Sequence, residues 1–174
     1  PAGFPDGEEY GSLVKVDKLS TKPVERSGQL SLEDISYDVQ LNAWNFKRLL
    51  AQKYNVVVTN PPYAASSGVN GKLSEYLKEE YSNAKSDLFA AFIERCLHFA
   101  ECDAFVAMIT QQAWMFLSSF EALRTRIISG TTLVNMLHLG NGSFGIADFG
   151  LTSFVVNSSH INAYTGCYSR LVDD

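Results

Sequence analysis

Apolar and polar positions along this chain change period several times, and each change marks an element. From residue 37 to 54, Val39, Leu41, Trp44, Phe46, Leu49 and Leu50 recur at a spacing compatible with an amphipathic helix. Val56, Val57 and Val58 follow as consecutive β-branched residues, the pattern of a short strand covered on both faces of a parallel sheet. Pro61 and Pro62 end any ladder there, because neither has an N–H to donate. The small residues of 64–71 predict a loop, and 73–81 a short charged surface helix. Ser86 or Asp87 then opens a stronger helix over 88–100. Its apolar stripe is Leu88, Phe89, Phe92, Ile93, Cys96 and Leu97, with Glu94, Arg95 and His98 on the opposite side.

The second half continues in the same alternation. Residues 104–110 predict another buried strand. Ser118-Ser119-Phe120-Glu121 has the form of a capping box, opening a helix that runs to Ser129 and stops at Gly130. Residues 133–139 and 152–156 are two further strands joined by the glycine-rich 140–150 loop, and the last fifteen residues suit an irregular edge element. Residues 1–37 carry glycines, prolines and mixed charge, and within them only 10–16 suggests a short strand. The sum is an α/β chain whose last two strands pair as a hairpin. It divides into a loosely structured 1–37, a main body over 38–160 and an edge segment over 161–174.

Composition narrows the possibilities. At 174 residues and 46% hydrophobic the chain suits one domain with a real core, and 12% aromatic content argues against disorder. No apolar run approaches a membrane span, so no membrane partner is expected. The first residue is Pro1 rather than Met, which suggests processing or excision from a longer chain. Three cysteines, Cys96, Cys102 and Cys167, without CxxC spacing suit reduced thiols in the cytoplasm. A net charge of −5 speaks against non-specific nucleic-acid binding by this chain alone. His98, His138 and His160 show no ligand-like pairing, so no metal is expected. Ser143 lacks the first glycine of a GxSxG elbow.

The candidate chemistry sits at the end of the first strand, where open α/β sheets bind their ligands. Asn60-Pro61-Pro62-Tyr63 presents a stiff tip carrying an amide side chain, a carbonyl free of ladder duty and an aromatic ring. This motif resembles the catalytic signature of S-adenosylmethionine-dependent amino-methyltransferases, most of all N6-adenine DNA methyltransferases. The resemblance continues in order through Ser86-Asp87-Leu88-Phe89-Ala90-Ala91-Phe92, then Phe105 to Gln111 with Trp114, then Leu137-His138-Leu139-Gly140 through Phe144, then Thr152-Ser153-Phe154-Val155-Val156. It covers residues 50–157. The 65–85 loop most nearly resembles the large adenine methyltransferases of BREX-type phage defence and type IIG restriction–modification enzymes.

The resemblance implies the C-terminal half of a Rossmann-like class I methyltransferase domain, a mostly parallel sheet with a closing antiparallel hairpin. It implies S-adenosyl-L-methionine as cofactor and double-stranded DNA as partner, with the target adenine flipped out of the helix. Asn60 and the Pro61 carbonyl would accept the amino hydrogens, while Tyr63 and Phe144 would stack on the two faces of the base. Pro62 and Phe92, with Asn60, would lie against the methyl donor. Each assignment has a plainer reading beside it. The motif alone also closes a strand, Phe92 also lies on a core stripe, and Asp87 also complements a helix dipole.

What the sequence lacks is equally informative. The family's glycine-rich cofactor loop and its acidic ribose partner do not appear upstream of Asn60, and there is no separate target-recognition region. The remainder of a parent protein is therefore the expected partner, and the 174-residue chain alone is expected to have little activity. Methyl transfer to an RNA adenine or a protein glutamine uses the same chemistry. A non-catalytic nucleic-acid- or partner-binding module is the alternative of another class.

Overall fold

A computed structural model describes residues 4–24, 32–141 and 149–172. The chain separates into two compact units, residues 1–52 and 53–174. The first unit holds helix α1 (Pro5–Tyr10), a 3-10 turn (Gly11–Leu13) and helix α2 (Leu32–Ala51). Phe4 meets Phe46 edge-on at 5.8 Å, and the Trp44 indole donates to the Ser20 carbonyl at 2.8 Å. The expected strand over 10–16 is a correction: Tyr10 ends α1, Gly11–Leu13 form the 3-10 turn, and 14–16 have no regular structure. Pro5 at the first helical position and Asp6 and Glu8 in the first turn favour a helix start. Gly11, at φ 54°, then turns the chain.

The second unit is built on five strands, β1 (Tyr54–Thr59), β2 (Ala100–Gln111), β3 (Thr132–Gly140), β4 (Leu151–Asn157) and β5 (Cys167–Arg170). Helices α3 (Gly71–Glu80), α4 (Leu88–Phe99) and α5 (Glu121–Gly130) connect them. The sheet order is β1-β2-β4-β3-β5. β1 pairs β2 in parallel, β3 pairs β5 in parallel, and β4 lies antiparallel between β2 and β3. Four strands therefore run one way, and the hairpin partner β4 is inserted among them. This is the mixed, mostly parallel sheet that the sequence implied, and the last segment supplies its β5 edge. The carboxyl ends of β1, β2 and β3 and the start of β4 share one margin of the sheet.

The two faces of the sheet differ. One carries Val106, Met108, Phe154 and Val156, all buried, and α4 and α5 pack on the sheet. On the other, Val56 is 59% exposed, Val58 72% and Phe105 44%, and register places Val56 beside Phe105. The expectation that 56–58 is covered on both faces is thus corrected. β1 is an edge strand, and no strand pairs its outer side among the described residues.

α4 holds a second correction. Glu94 and Arg95, expected on a polar side, are buried, Arg95 at 0% exposure. The Arg95 guanidinium lies over the Phe99 ring at 3.9 Å, and Glu94 pairs with Arg126 at 3.0 Å. Burial lowers the Arg95 pKa, opposed by the nearby Tyr81. The capping box at 118–121 does not form either. Residues Ser118–Phe120 make a 3-10 turn, and the cap of α5 is Phe120, without a side-chain hydrogen bond. Its ring is buried against Phe89 at 5.5 Å, so packing rather than a serine hydroxyl sets that helix start.

Candidate active site

Thr59 is the last residue of β1, so Asn60, Pro61, Pro62 and Tyr63 lie beyond the ladder, at the carboxyl margin of the sheet. Asn60 and Pro62 are exposed, Pro61 is buried and Tyr63 is half-buried. The ring of Pro61 therefore seats the tip while its neighbours face outward. The Tyr63 hydroxyl donates to Asn60 Oδ1 at 2.8 Å and has a longer contact with the Ile109 carbonyl at 3.3 Å. Burial raises the Tyr63 pKa, so its hydroxyl keeps its proton at neutral pH.

The segment that follows is clamped to α4 by Asp87. Asp87 Oδ1 accepts from the Ala64 N–H at 3.2 Å and, as the N-cap of α4, from the Phe89 N–H at 3.2 Å. The Leu88 N–H returns a hydrogen bond to the Ala64 carbonyl at 3.0 Å, and Ala65 bridges Asp87. Two hydrogen bonds across the two chain segments thus fix where Tyr63 leaves the tip. Sequence pattern left the helix opener as Ser86 or Asp87, and the cap is Asp87; its grip on Ala64 has no sequence signal, because the two lie 23 residues apart.

Around the same margin, Gln112 just past β2 bonds His138 of β3 and, at 3.4 Å, Asn141. Its N–H also donates to the Gly150 carbonyl at 2.9 Å, tying down the start of β4. Beside that anchor Phe149 meets Tyr63 edge-to-face, with centroids 5.5 Å apart and planes at 84°. Phe149 was not singled out from sequence. The signal was available, since it is an aromatic in the same glycine-rich loop that drew attention to Phe144. Phe144 itself lies outside the described residues. Phe92 is half-buried on α4.

The arrangement can hold a planar amino group: an exposed amide oxygen stands at a strand end, with an aromatic ring anchored beside it. Comparison with known proteins identifies the family of the chain. The Eco57I restriction-modification methylase model matches residues 11–144. The chain belongs to that family. An adenine-specific methyltransferase, PglX, of Lacticaseibacillus casei (strain Zhang) is 39% identical over 187 aligned positions, covering 98% of this chain. The adenine-specific methyltransferase BrxX of Escherichia coli O9:H4 (strain HS) is 36% identical over 189, also covering 98%. The chain spans only 15% of the length of either relative.

Solved structures agree on the fold. The DrdV–DNA complex matches at TM-score 0.58 and 18% identity, over 82% of this chain and 16% of that one. The Type ISP restriction-modification enzyme LlaGI, in complex with a DNA substrate mimic, matches at 0.57 and 11%, over 81% and 16%. A protein described as a "putative class I S-adenosylmethionine-dependent methyltransferase" from Listeria monocytogenes matches at 0.53 and 12%, over 76% and 45%. The fold class read from sequence, part of a class I methyltransferase domain, is therefore confirmed.

Proposed function

We propose that this chain is the acceptor-positioning part of an N6-adenine DNA methyltransferase of restriction–modification or phage defence, working within a longer polypeptide. The observation that carries the reading is the exposed Asn60 side chain just beyond the end of β1, with Tyr63 bonded to it. The exocyclic nitrogen of adenine is a poor nucleophile because its lone pair is delocalised into the ring. Asn60 Oδ1 and the Pro61 carbonyl accept its two hydrogens, drawing the nitrogen towards tetrahedral geometry and its lone pair out of the ring. Positioning and electrostatics supply the rate, and no basic side chain is required.

The target adenine leaves the duplex to reach this margin and is held by stacking on Tyr63. Phe144 is the proposed partner on the opposite face. When bound, S-adenosyl-L-methionine would supply the electrophilic methyl group, its S–CH3 bond breaking to leave the thioether S-adenosylhomocysteine, while the methylated nitrogen loses one proton to water. The residues present fit only one side of that donor: Pro62 is exposed at the tip and Phe92 half-buried on α4. The glycine-rich cradle falls to the remainder of the parent protein, as does recognition of the DNA sequence. The relatives' far greater length leaves room for both. Among the described residues no helix is long and apolar enough to cross a membrane, and no group of three His, Cys, Asp or Glu could hold a metal ion. Three free cysteines fit a reducing, cytoplasmic setting.

The test is labelled methyl transfer to DNA, RNA and protein by the longer polypeptide and its Asn60→Ala variant. DNA labelling is expected to fall by about 10²- to 10³-fold in the variant, the usual cost of one preorganised hydrogen-bonding group. Undiminished DNA labelling, or labelling of RNA or protein alone, overturns the reading.

A further inference from the structure

We propose that Phe149 is a positioning residue. It holds the Tyr63 ring so that the tyrosine hydroxyl orients the Asn60 amide, leaving one lone pair of Oδ1 aimed outward for an incoming amino group. The proposal rests on the methyl-transfer reading for its purpose, but not for its geometry.

An exposed asparagine at the end of a strand is an unpromising catalytic acceptor when left to itself. Its amide turns freely about its terminal torsion, which is broad and roughly two-fold, and presents NH₂ as readily as oxygen. A base amino group facing the NH₂ meets a donor rather than an acceptor. Here the Tyr63 hydroxyl removes that ambiguity: its single proton goes to Asn60 Oδ1, at 2.8 Å, in preference to the Ile109 carbonyl at 3.3 Å. An amide oxygen has two lone pairs, so one such bond still leaves the second for substrate.

The hydroxyl can do this only if the tyrosine ring is itself held. Tyr63 follows two prolines that stiffen the backbone, and Asp87 fixes Ala64 immediately after it. The ring, however, is only half-buried. Its aromatic contact is with Phe149, edge-to-face at 5.5 Å and 84°. That geometry matches the quadrupole preference of aromatic pairs, which adds to simple area burial. Phe149 is in turn placed by the adjoining Gly150 carbonyl, bound by the Gln112 N–H at 2.9 Å. The chain of placement therefore runs from the end of β2, through Gly150 and Phe149, to Tyr63 and Asn60. At 41% exposure, Phe149 is no ordinary core residue. The raised Tyr63 pKa supports the scheme, since the hydroxyl stays a donor across the working pH range.

Two measurements test it, one of them independent of activity. The first is ¹⁵N relaxation of the Asn60 side-chain amide in this 174-residue chain, as wild type, Tyr63→Phe, Phe149→Ala and the double variant. The account expects an order parameter of about 0.8 in the wild type, falling below about 0.6 in either single variant. The double variant should fall no further, because both act through one bond. Phe149→Leu, which keeps bulk without the ring, serves if the alanine variant does not fold. An amide equally ordered without the Tyr63 hydroxyl, or additive losses in the double variant, overturns the proposal.

The second is DNA methylation by the longer polypeptide carrying the same changes. Tyr63→Phe keeps the stacking ring, so KM should hold within about twofold while kcat falls about fivefold, the value of one hydrogen bond. A kcat that rises shows instead that the hydroxyl obstructs the acceptor, and overturns it. If the wild-type polypeptide methylates no DNA, the functional reading fails, and the relaxation result still decides whether Phe149 and Tyr63 orient Asn60.

Discussion

Asp87 shows how much one side chain does at the residue scale. A single oxygen caps α4 and holds Ala64, so Asp87→Ala should cost about 1–2 kcal/mol, measured by urea unfolding of this chain. Its charge adds a pH signature. Burial raises the Asp87 pKa, with the backbone N–H bonds to Phe89, Ala64 and Leu88 acting in the opposite direction. A carboxyl raised in the folded state contributes stability that is full below its unfolded pKa and is lost as pH rises through the folded value. Wild type should therefore gain on Asp87→Asn as pH falls from 7 towards the ordinary carboxylate range; a wild type that loses ground contradicts the assignment. The cysteines divide in the same way. Burial pushes the Cys96 thiol up to about 12, whereas Cys102 and Cys167 are exposed. A thiol reagent at pH 8 should label two cysteines readily and Cys96 only after unfolding. The Asn60–Tyr63 tip was legible in sequence because proline chemistry is local. Phe149 and the Asp87–Ala64 bond were not, because nothing in a linear pattern reports a contact 86 or 23 residues away.

Most elements were legible because their periodicity and their burial agree. β2, for instance, buries alternate residues from Ala104 to Thr110. Failures came where packing overrode a local rule. Phe120 displaced the serine cap of α5, and Arg95 turned inwards on α4 because Phe99 offers its guanidinium an aromatic face. Phe89 ties these two helices together through Phe120 and is wholly buried. Phe89→Ala should cost about 3–5 kcal/mol in chemical denaturation, far more than a change on an exposed face. A loss under about 1 kcal/mol would show that the α4–α5 junction is not closed by this pair.

At the scale of the molecule, no strand pairs the outer side of β1 among the described residues, and Val56, Val58 and Phe105 leave an apolar, exposed strip on one face there. Sequence pattern read β1 as covered on both faces; in this chain only one is. The same β-branched run that misled the burial expectation is what an occupied face would need, since parallel sheets are normally covered on both sides. Val58→Asp should therefore change the stability of this chain by no more than about 0.5 kcal/mol, while substantially destabilising the longer polypeptide. Equal small effects in both would show that the strip stays open to solvent.

The central claim is that Asn60 presents an oxygen to an adenine amino group. It is tested most directly by digesting DNA exposed to the longer polypeptide and measuring N6-methyladenine by mass spectrometry, for wild type, Asn60→Asp and Asn60→Ala. Aspartate keeps an acceptor oxygen in nearly the same place and alanine keeps none. The account predicts abundant N6-methyladenine from wild type, a reduced but measurable yield from Asn60→Asp, and about 10²- to 10³-fold less from Asn60→Ala. N6-methyladenine formed equally well by the alanine variant would contradict it.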